Sequence, residues 1–496
     1  MKQEYLLGID VGTSSVKAVL FDQNGVPQAE ASASYGLVRS GACVEQDPDD
    51  YYLAVRKCVA GLLEQEPGKM RSVAGIGLTG NTPTDIFLDE NDRPLMRGIS
   101  WQDTRAVEEA EEIKAQFPPD RMRELLGHDM IVTASWSASR YRWFTKHCPD
   151  LAARCKQISY PWNYVGLRMT GAHISDPWNL RSTLNLQTGE QSRELLDFLG
   201  LRPEQFPRAA SVQTKIGGLT AQAARELGLC EGIPVANGCG DALATMLGSG
   251  VLLDAGVAFN SAGTSEIVGM SVPGAPIVMK GMMTVPHNVT ETYSIVYGPT
   301  QSGSGSLVWL LRNLLGRDDL QAAFREAESV PAGSDGLLFL PYLSGERAPL
   351  WEPRVRGSFT GLSSTHTAAH LIRATMEGVA FSVRHCLDLA EKQYRVTPKV
   401  IRISGGGSKT PLWMQIKANV IGVPVETLAC ENACALGAAM TAAVAIGLYP
   451  GFAEASAHMV RVKDRINPDP TVRAIYQSAF RRYLFDSAAA LERMEK

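Results

Sequence analysis

Two short segments, about half the chain apart, share one design. Residues 5–22 read Tyr-Leu-Leu-Gly-Ile-Asp-Val-Gly-Thr-Ser-Ser-Val-Lys-Ala-Val-Leu-Phe-Asp. An apolar run ends at Asp10, a tight Gly12-Thr13-Ser14 turn follows, and a second apolar run leaves it. That order predicts a β-hairpin. Gly12 lets a ligand approach the backbone closely. The hydroxyls of Thr13 and Ser14 and the N–H groups of the turn suit phosphate oxygens, with Lys17 completing the set, and Asp10 suits a hydrated Mg²⁺. Most hairpin tips bind nothing. This one gains weight because a similar turn recurs at Ser261-Ala262-Gly263-Thr264-Ser265. Two opposed hairpins can clasp a polyphosphate, which differs from the single glycine loop and helix N-terminus of a P-loop. The GxxxxGK[ST] spacing of a P-loop is absent. So is the dinucleotide fingerprint GxGxxG: Gly238-Cys239-Gly240 comes close, but Leu243 stands at the third glycine position.

At 496 residues the chain should form two or more domains. A formal net charge of −4 argues against a nucleic-acid or membrane-surface partner, both of which ask for a basic face. The nine cysteines contain no CxxC and have irregular spacing, which predicts reduced, mostly buried thiols in a cytoplasmic protein. His385-Cys386 is read as structural, because adjacent helical residues diverge. The N-terminal apolar stretch is broken by Asp10, too early for a secretory signal. The longest uncharged run, Ala433 to Tyr449, is short for a membrane span and rich in Ala and Gly. It predicts a buried helix packed closely on a neighbour.

Short apolar strands alternating with helical stretches make this an α/β chain. Strands are expected at Tyr5–Ile9, Ser15–Phe21, Val73–Thr79, Thr84–Leu88, Val257–Ser261, Glu266–Met270, Leu337–Leu340 and Val400–Ser404. Helices are expected from Asp49 to Glu64, where Asp47-Pro48 supplies an N-cap and an N1 proline, and from Thr365 to Gln393. The paired hairpins suggest two related halves, residues 1–248 and 249–496, with the boundary near Gly248 to Ala255. The stretch from Asn467 to Lys496 should end as an amphipathic helix packed on the second half.

Three further constellations bear chemistry. Asn237-Gly238-Cys239-Gly240-Asp241-Ala242 places Asp241 after a strand and a glycine-rich turn, at the start of a helix. A carboxylate there can take a proton from a hydroxyl attacking phosphorus, although a plain Asp N-cap would look the same. Ser404-Gly405-Gly406-Gly407-Ser408-Lys409 follows a strand, and its bare backbone could carry a flat adenine or ribose, or be a flexible connection. Asn81-Thr82-Pro83-Thr84 and Trp101-Gln102-Asp103-Thr104-Arg105 gather amide, aromatic, carboxylate and guanidinium groups that suit a polyhydroxylated ligand. They also fit a core Trp and a helix start.

Together these residues resemble the FGGY carbohydrate kinases, and among them the xylulokinase-like members, within the actin–Hsp70–hexokinase superfold. The resemblance runs from Tyr5 to about Tyr449. Its most specific stretch is Gly357-Ser358-Phe359-Thr360-Gly361-Leu362 followed by His370-Leu371-Ile372-Arg373-Ala374-Thr375-Met376-Glu377. Ser135 to Phe144 is similar to the N-terminal signature, with Arg140 where the family usually has Lys. The resemblance implies two actin-like (ribonuclease H-like) ATPase domains with a cleft between them, and ATP and Mg²⁺ as cofactors. It implies that Asp10 organises Mg²⁺ and that Thr13 and Thr264 lie near the terminal phosphates, within ATP sets of Gly12, Thr13, Ser14 and Lys17 and of Gly263, Thr264 and Ser265. Gly406 and Gly407, with Lys409 beside them, would lie against the adenosine. Asp241 would be the general base, and Asn81, Thr82, Pro83, Trp101, Asp103, Asp241 and Ala242 would face the sugar. The expected reaction is phosphorylation of a small sugar, D-xylulose to xylulose 5-phosphate by family frequency in xylose metabolism. Another ketose, a polyol or a sugar acid is the alternative, because Thr82-Pro83 replaces a Met-His pair and Ala242 an Asn or Gln. A non-enzymatic ATP-binding regulator or chaperone-like module shares the superfold. The expected partners are sugar and ATP, and a homodimer is compatible with the sequence.

Overall fold

In the first half, six strands pair into one sheet. They are β1 (Tyr5–Val11), β2 (Ser15–Asp22), β3 (Pro27–Ser34), β4 (Val73–Gly80), β5 (Lys215–Gly218) and β6 (Pro234–Gly240), in the order β5-β6-β4-β1-β2-β3. The computed structural model describes residues 4–128, 130–251, 255–274, 279–285 and 293–495. β1, β2 and β3 form an antiparallel meander, β1, β4 and β6 run parallel, and β5 closes the edge antiparallel. The second half repeats the plan with β7 (Val257–Ala262), β8 (Glu266–Pro273), β9 (Met283–Val285), β10 (Tyr293–Pro299), β11 (Val400–Ser404), β12 (Val425–Leu428) and β13 (Val462–Ile466), in the order β9-β10-β8-β7-β11-β12-β13. β7 pairs antiparallel with β8 and parallel with β11, as β1 does with β2 and β4. The shared pairing pattern is the structural counterpart of the two hairpins noticed in the sequence. β3 escaped the sequence reading because Pro-Gln-Ala-Glu-Ala-Ser-Ala-Ser has no large apolar side chain to mark its inner face.

Helices cover these sheets where the chain supplies caps and apolar stripes. Asp47 accepts from Asp49 N at 3.1 Å, and Pro48 opens a helix that runs to Gln65 and buries Tyr51, Val55, Val59 and Leu62. The helix Ala368–Tyr394 carries the C-terminal signature into the second core. Its Arg373 and Glu377 form a buried pair at 3.0 Å, and Glu377 also accepts from Gly333 N, Ser334 Oγ and Tyr476 Oη. The signature therefore ties this helix to the C-terminal helix Arg473–Glu495, whose Tyr476, Phe480 and Tyr483 enter the same core. In the other signature Arg140 pairs with Asp85 at 2.6 Å, both fully buried.

The chain divides into two compact units, Met1–Gly248 with Asn432–Val460, and Ser249–Glu431 with Arg461–Lys496. Residues 252–254 of the expected boundary lie outside the described residues. The expected second domain, 249–496, needs correction: Asn432–Val460 returns to the first unit. The cause is the Ala-rich helix Ala433–Ala445, which lies directly on bare glycine backbone of β1 and β4. A Cβ on Gly77 would stand 1.7 Å from Ala438 O, and one on Gly8 would stand 2.1 Å from Ala435 O. The cysteines are free thiols. No helix among the described residues is long and apolar enough to cross a membrane.

One buried acid makes stability depend on pH. Glu346 accepts from the N–H groups of Gln301 and Arg347 through Oε1, while Oε2 has no partner. Burial pushes its carboxyl up to about 8, against those N–H groups and the nearby Arg347 charge. The raised value means the fold prefers the protonated acid. Its stabilising contribution is full below the unfolded-state value and is lost as pH rises through about 8. Glu346→Gln mimics the protonated form. From about pH 6 to pH 9 its melting temperature is therefore expected to fall less than the wild type's. Parallel melting curves across that range would contradict this.

Candidate active site

The first hairpin is stapled from four sides. Gly12 N donates to Ser15 O at 3.0 Å and closes the turn. Tyr35 Oη and Asn81 Nδ2 donate to Gly12 O, Gln46 Nε2 donates to Thr13 O at 2.6 Å, and Tyr35 N donates to Ser14 O at 3.0 Å. Each tip carbonyl is thus held by a donor. A turn whose carbonyls are occupied presents N–H and hydroxyl groups, the polarity that suits an anion. Trp101 Nε1 also donates to Thr13 Oγ1 at 3.0 Å. Lys17 Nζ donates to Asn432 Oδ1 at 2.8 Å.

Two carboxylates stand at the carboxyl ends of the parallel strands, where open α/β sheets bind ligands. Asp10 pairs in register with Thr79, and Thr79 with Cys239, two residues before Asp241. Thr79 Oγ1 donates to Cys239 O at 2.6 Å and locks that alignment. Asp10 Oδ1 is buried with no hydrogen-bond partner. Burial pushes the Asp10 carboxyl up to about 6, against a hydrogen bond from Cys434 and the charge of Lys17. Asp241 opens the helix Asp241–Gly248, and its Oδ1 accepts from Ala242 N at 2.7 Å. Burial first, and the Asp10 charge second, push Asp241 up to about 7. Cys434 Sγ lies 3.5 Å from Asp241 O and 4.0 Å from Thr79 Oγ1. The sequence marked Cys434 only as a thiol. Its place between the two acids comes from the docking of the helix Ala433–Ala445.

The expected sugar-facing residues separate into two groups. Thr82 lies beside the end of β6: a Cβ on Gly240 would stand 2.8 Å from Thr82 Cγ2. Its Oγ1 donates to Asn179 Oδ1 at 2.7 Å. Pro83 O accepts from Arg140 at 3.2 Å, while Trp101 and Ala242 are half-buried. Asn81 and Asp103 are engaged by groups within the protein. Asn81 donates to Val11 O and Gly12 O and accepts from Thr84 Oγ1, so its amide fixes the first hairpin. Asp103 is fully buried and accepts from Val44 N and from the backbone and guanidinium of Arg105. Both side chains are buried and make these hydrogen bonds within the protein.

In the second unit the hairpin Gly263–Ser265 is tied in the same way. Gly263 N donates to Ser265 O at 3.1 Å, Ser304 N to Gly263 O at 2.9 Å, and Gly303 N and Gly305 N to Thr264 O at 2.9 and 3.1 Å. The glycine turn after β11 lies against it. Gly405 has φ +89°, and a Cβ there would stand 2.6 Å from Ala262 O. A Cβ on Gly407 would stand 2.8 Å from Ser304 Oγ, a buried hydroxyl without a partner, whereas Gly406 faces open space. Phosphate-type hairpin and bare glycine surface are therefore contiguous. Lys409 forms an exposed ion pair with Glu431 at 2.8 Å. Ser304 was missed, although Ser302-Gly303-Ser304-Gly305-Ser306 is a visible small-residue run after a strand.

Models of the FGGY family of carbohydrate kinases match the chain twice, the N-terminal domain over residues 5–248 and the C-terminal domain over residues 258–446. The chain belongs to that family. It is similar to a xylulose kinase of Bacillus subtilis, 28% identical over 483 residues, which are 97% of this chain and 96% of the relative. It is also similar to a gluconokinase of Bacillus licheniformis, 29% identical over 463 residues, 90% of this chain and 89% of the relative. The crystal structure of gluconate kinase from Lactobacillus acidophilus superposes with a TM-score of 0.89 at 27% identity, covering 99% of both chains. This FGGY kinase is accordingly a sugar kinase with the two-domain, actin-like ATPase fold. Sugar kinases of the family use ATP, generally with Mg²⁺.

Proposed function

We propose that this kinase transfers the terminal phosphoryl group of ATP to a hydroxyl of a small sugar, with Asp241 as general base. The observation that carries this reading is the pair of acids at the carboxyl ends of β1 and β6, which flank β4, Asp10 with a buried orphan oxygen and Asp241 poised near neutrality. A base must be partly ionised at working pH yet avid enough to take a proton, and a value near 7 meets both demands. Asp241 accepts the acceptor hydroxyl's proton as its oxygen attacks phosphorus. Its Oδ1 is steadied by Ala242 N–H, which leaves Oδ2 for the incoming hydroxyl. Gly12, Thr13 and Ser14 offer phosphate oxygens a tip whose own carbonyls are occupied, and Gly263, Thr264 and Ser265 offer the second unit's equivalent. Gly406 and Gly407 provide the flat surface for adenosine, with Ser304 Oγ as an extra polar contact. The orphan oxygen of Asp10 fits a hard divalent cation, so Asp10 would hold Mg²⁺, directly or through water. When bound, Mg²⁺ neutralises charge on the phosphates.

The acceptor is a ketose, polyol or sugar acid. D-xylulose heads the panel because xylulose kinases stand among the relatives, and gluconate follows for the same reason. Thr82, Pro83 and Ala242 give the pocket wall a small, sparsely polar character, and Trp101 adds an aromatic face. The test is ADP release from MgATP across ketoses, aldoses, polyols and aldonates, with a control lacking acceptor. One compound should stimulate release far above that control. A flat panel would favour an ATP-binding regulator of the same superfold.

A further inference from the structure

The second hairpin rests on a buried charge cluster that the reaction itself does not use. Asn260 lies just before the turn, on β7, and Glu266 begins β8 just after it. Lys417 Nζ donates to Asn260 Oδ1 at 2.6 Å and to Glu266 Oε1 at 2.8 Å, and Asn260 Nδ2 donates to Glu266 Oε2 at 3.1 Å. All three side chains are at most 1% exposed. Glu266 also reaches the loop that caps the hairpin, because Thr300 N donates to Glu266 O at 2.8 Å and Glu266 N donates to Thr300 Oγ1 at 3.3 Å. Lys417 stands on the helix Pro411–Ile421, which follows the glycine turn at 405–407. One ammonium therefore ties both legs of the phosphate-type hairpin to the helix that carries the glycine turn.

A buried ion pair is a poor means of gaining stability, since apolar residues of similar volume often do as well, but it fixes geometry because only one arrangement satisfies both charges. We propose that Lys417 is a positioning residue for the nucleotide, holding the Gly263–Ser265 hairpin in register with Gly406 and Gly407 through Asn260 and Glu266. The proposal rests on the nucleotide reading given above. Lys417 touches no substrate in this scheme and acts through the hairpin.

The test uses the full chain, with ADP as the probe in the absence of acceptor. Lys417→Met leaves Glu266 buried without its cation and lowers the melting temperature. Lys417→Met combined with Glu266→Gln removes both charges at nearly constant volume and restores stability. In that double variant the Kd for ADP and the KM for ATP are expected to rise about 10- to 100-fold, the scale of a small misplacement of binding groups. The KM for the acceptor should stay near the wild-type value. Glu266→Gln alone, which keeps Lys417 and Asn260 in contact, should fall between the two. If the folded double variant, or Glu266→Gln where the double variant fails to fold, binds ADP as the wild type does, the cluster only supports the fold and the proposal is overturned. If the wild type itself does not bind ADP, the nucleotide reading fails and the proposal with it, an outcome separate from the first.

Discussion

Gly77→Ala is expected to destabilise the first unit by about 3 kcal/mol or more, at or beyond the upper range for overpacking a well-filled core. The new Cβ would stand 1.7 Å from Ala438 O and 2.4 Å from Ala438 C. Those are backbone atoms of a regular helix, so no rotamer change can make room. The helix Ala433–Ala445 would have to lift from the sheet, and its other glycine contacts would resist. Gly437 fits so closely that a Cβ there would stand 1.8 Å from Ala244 O, on the helix headed by Asp241. A lifted helix would also carry Cys434 away from Asp10 and Asp241, so kinase activity should fall with stability. The measurement is a thermal melt beside Gly68→Ala, whose Cβ would meet nothing within 4 Å. The control should melt near the wild type and Gly77→Ala many degrees lower. Equal melting temperatures would mean that this helix does not lie on β4.

The second large effect is chemical. Asp241→Asn is expected to lower kcat by about 10²- to 10⁴-fold, the usual contribution of a general base. Asparagine has the same shape, and its carbonyl can still accept from Ala242 N–H. It cannot take a proton. The KM for MgATP should change little, because Asp241 is assigned to the acceptor hydroxyl. Steady-state rates at saturating MgATP and acceptor, with ADP binding measured separately, distinguish loss of the base from loss of fold. A fall in kcat of less than tenfold would remove Asp241 from the proton transfer. Loss of ADP binding together with activity would make its role structural.

Much of the architecture is written locally, and for that reason was legible. The runs on either side of Gly12 and Gly263 alternate or cluster apolar residues at strand period, and Asp47-Pro48 is a helix start in any context. The Ala433–Ala445 helix announced close packing through its small residues. Its partner could not be read, because the glycines that receive it, Gly8 and Gly77, lie more than 350 residues away. That distance is also why the boundary at 249 was only half the answer. Within the site, Asp10 and Asp241 stood out by position after a strand. Asn81 and Asp103 stood out by residue type, and type shows which hydrogen bonds a side chain can make, not which partner consumes them. Val44, Arg105, Val11 and Gly12 consume theirs. Cys434 and Lys417 gave the opposite case. A cysteine in an alanine run and a lysine in a mostly apolar helix carry no mark of their partners, and only tertiary packing brings one to the two acids and the other beneath the second hairpin.

The most direct measurement is ³¹P NMR of the wild-type enzyme turning over MgATP with the acceptor that stimulates it. A new phosphomonoester resonance should grow in step with ADP, with inorganic phosphate staying low. ATP consumed to ADP and inorganic phosphate alone, at one rate with or without any acceptor, would contradict phosphoryl transfer to a sugar hydroxyl.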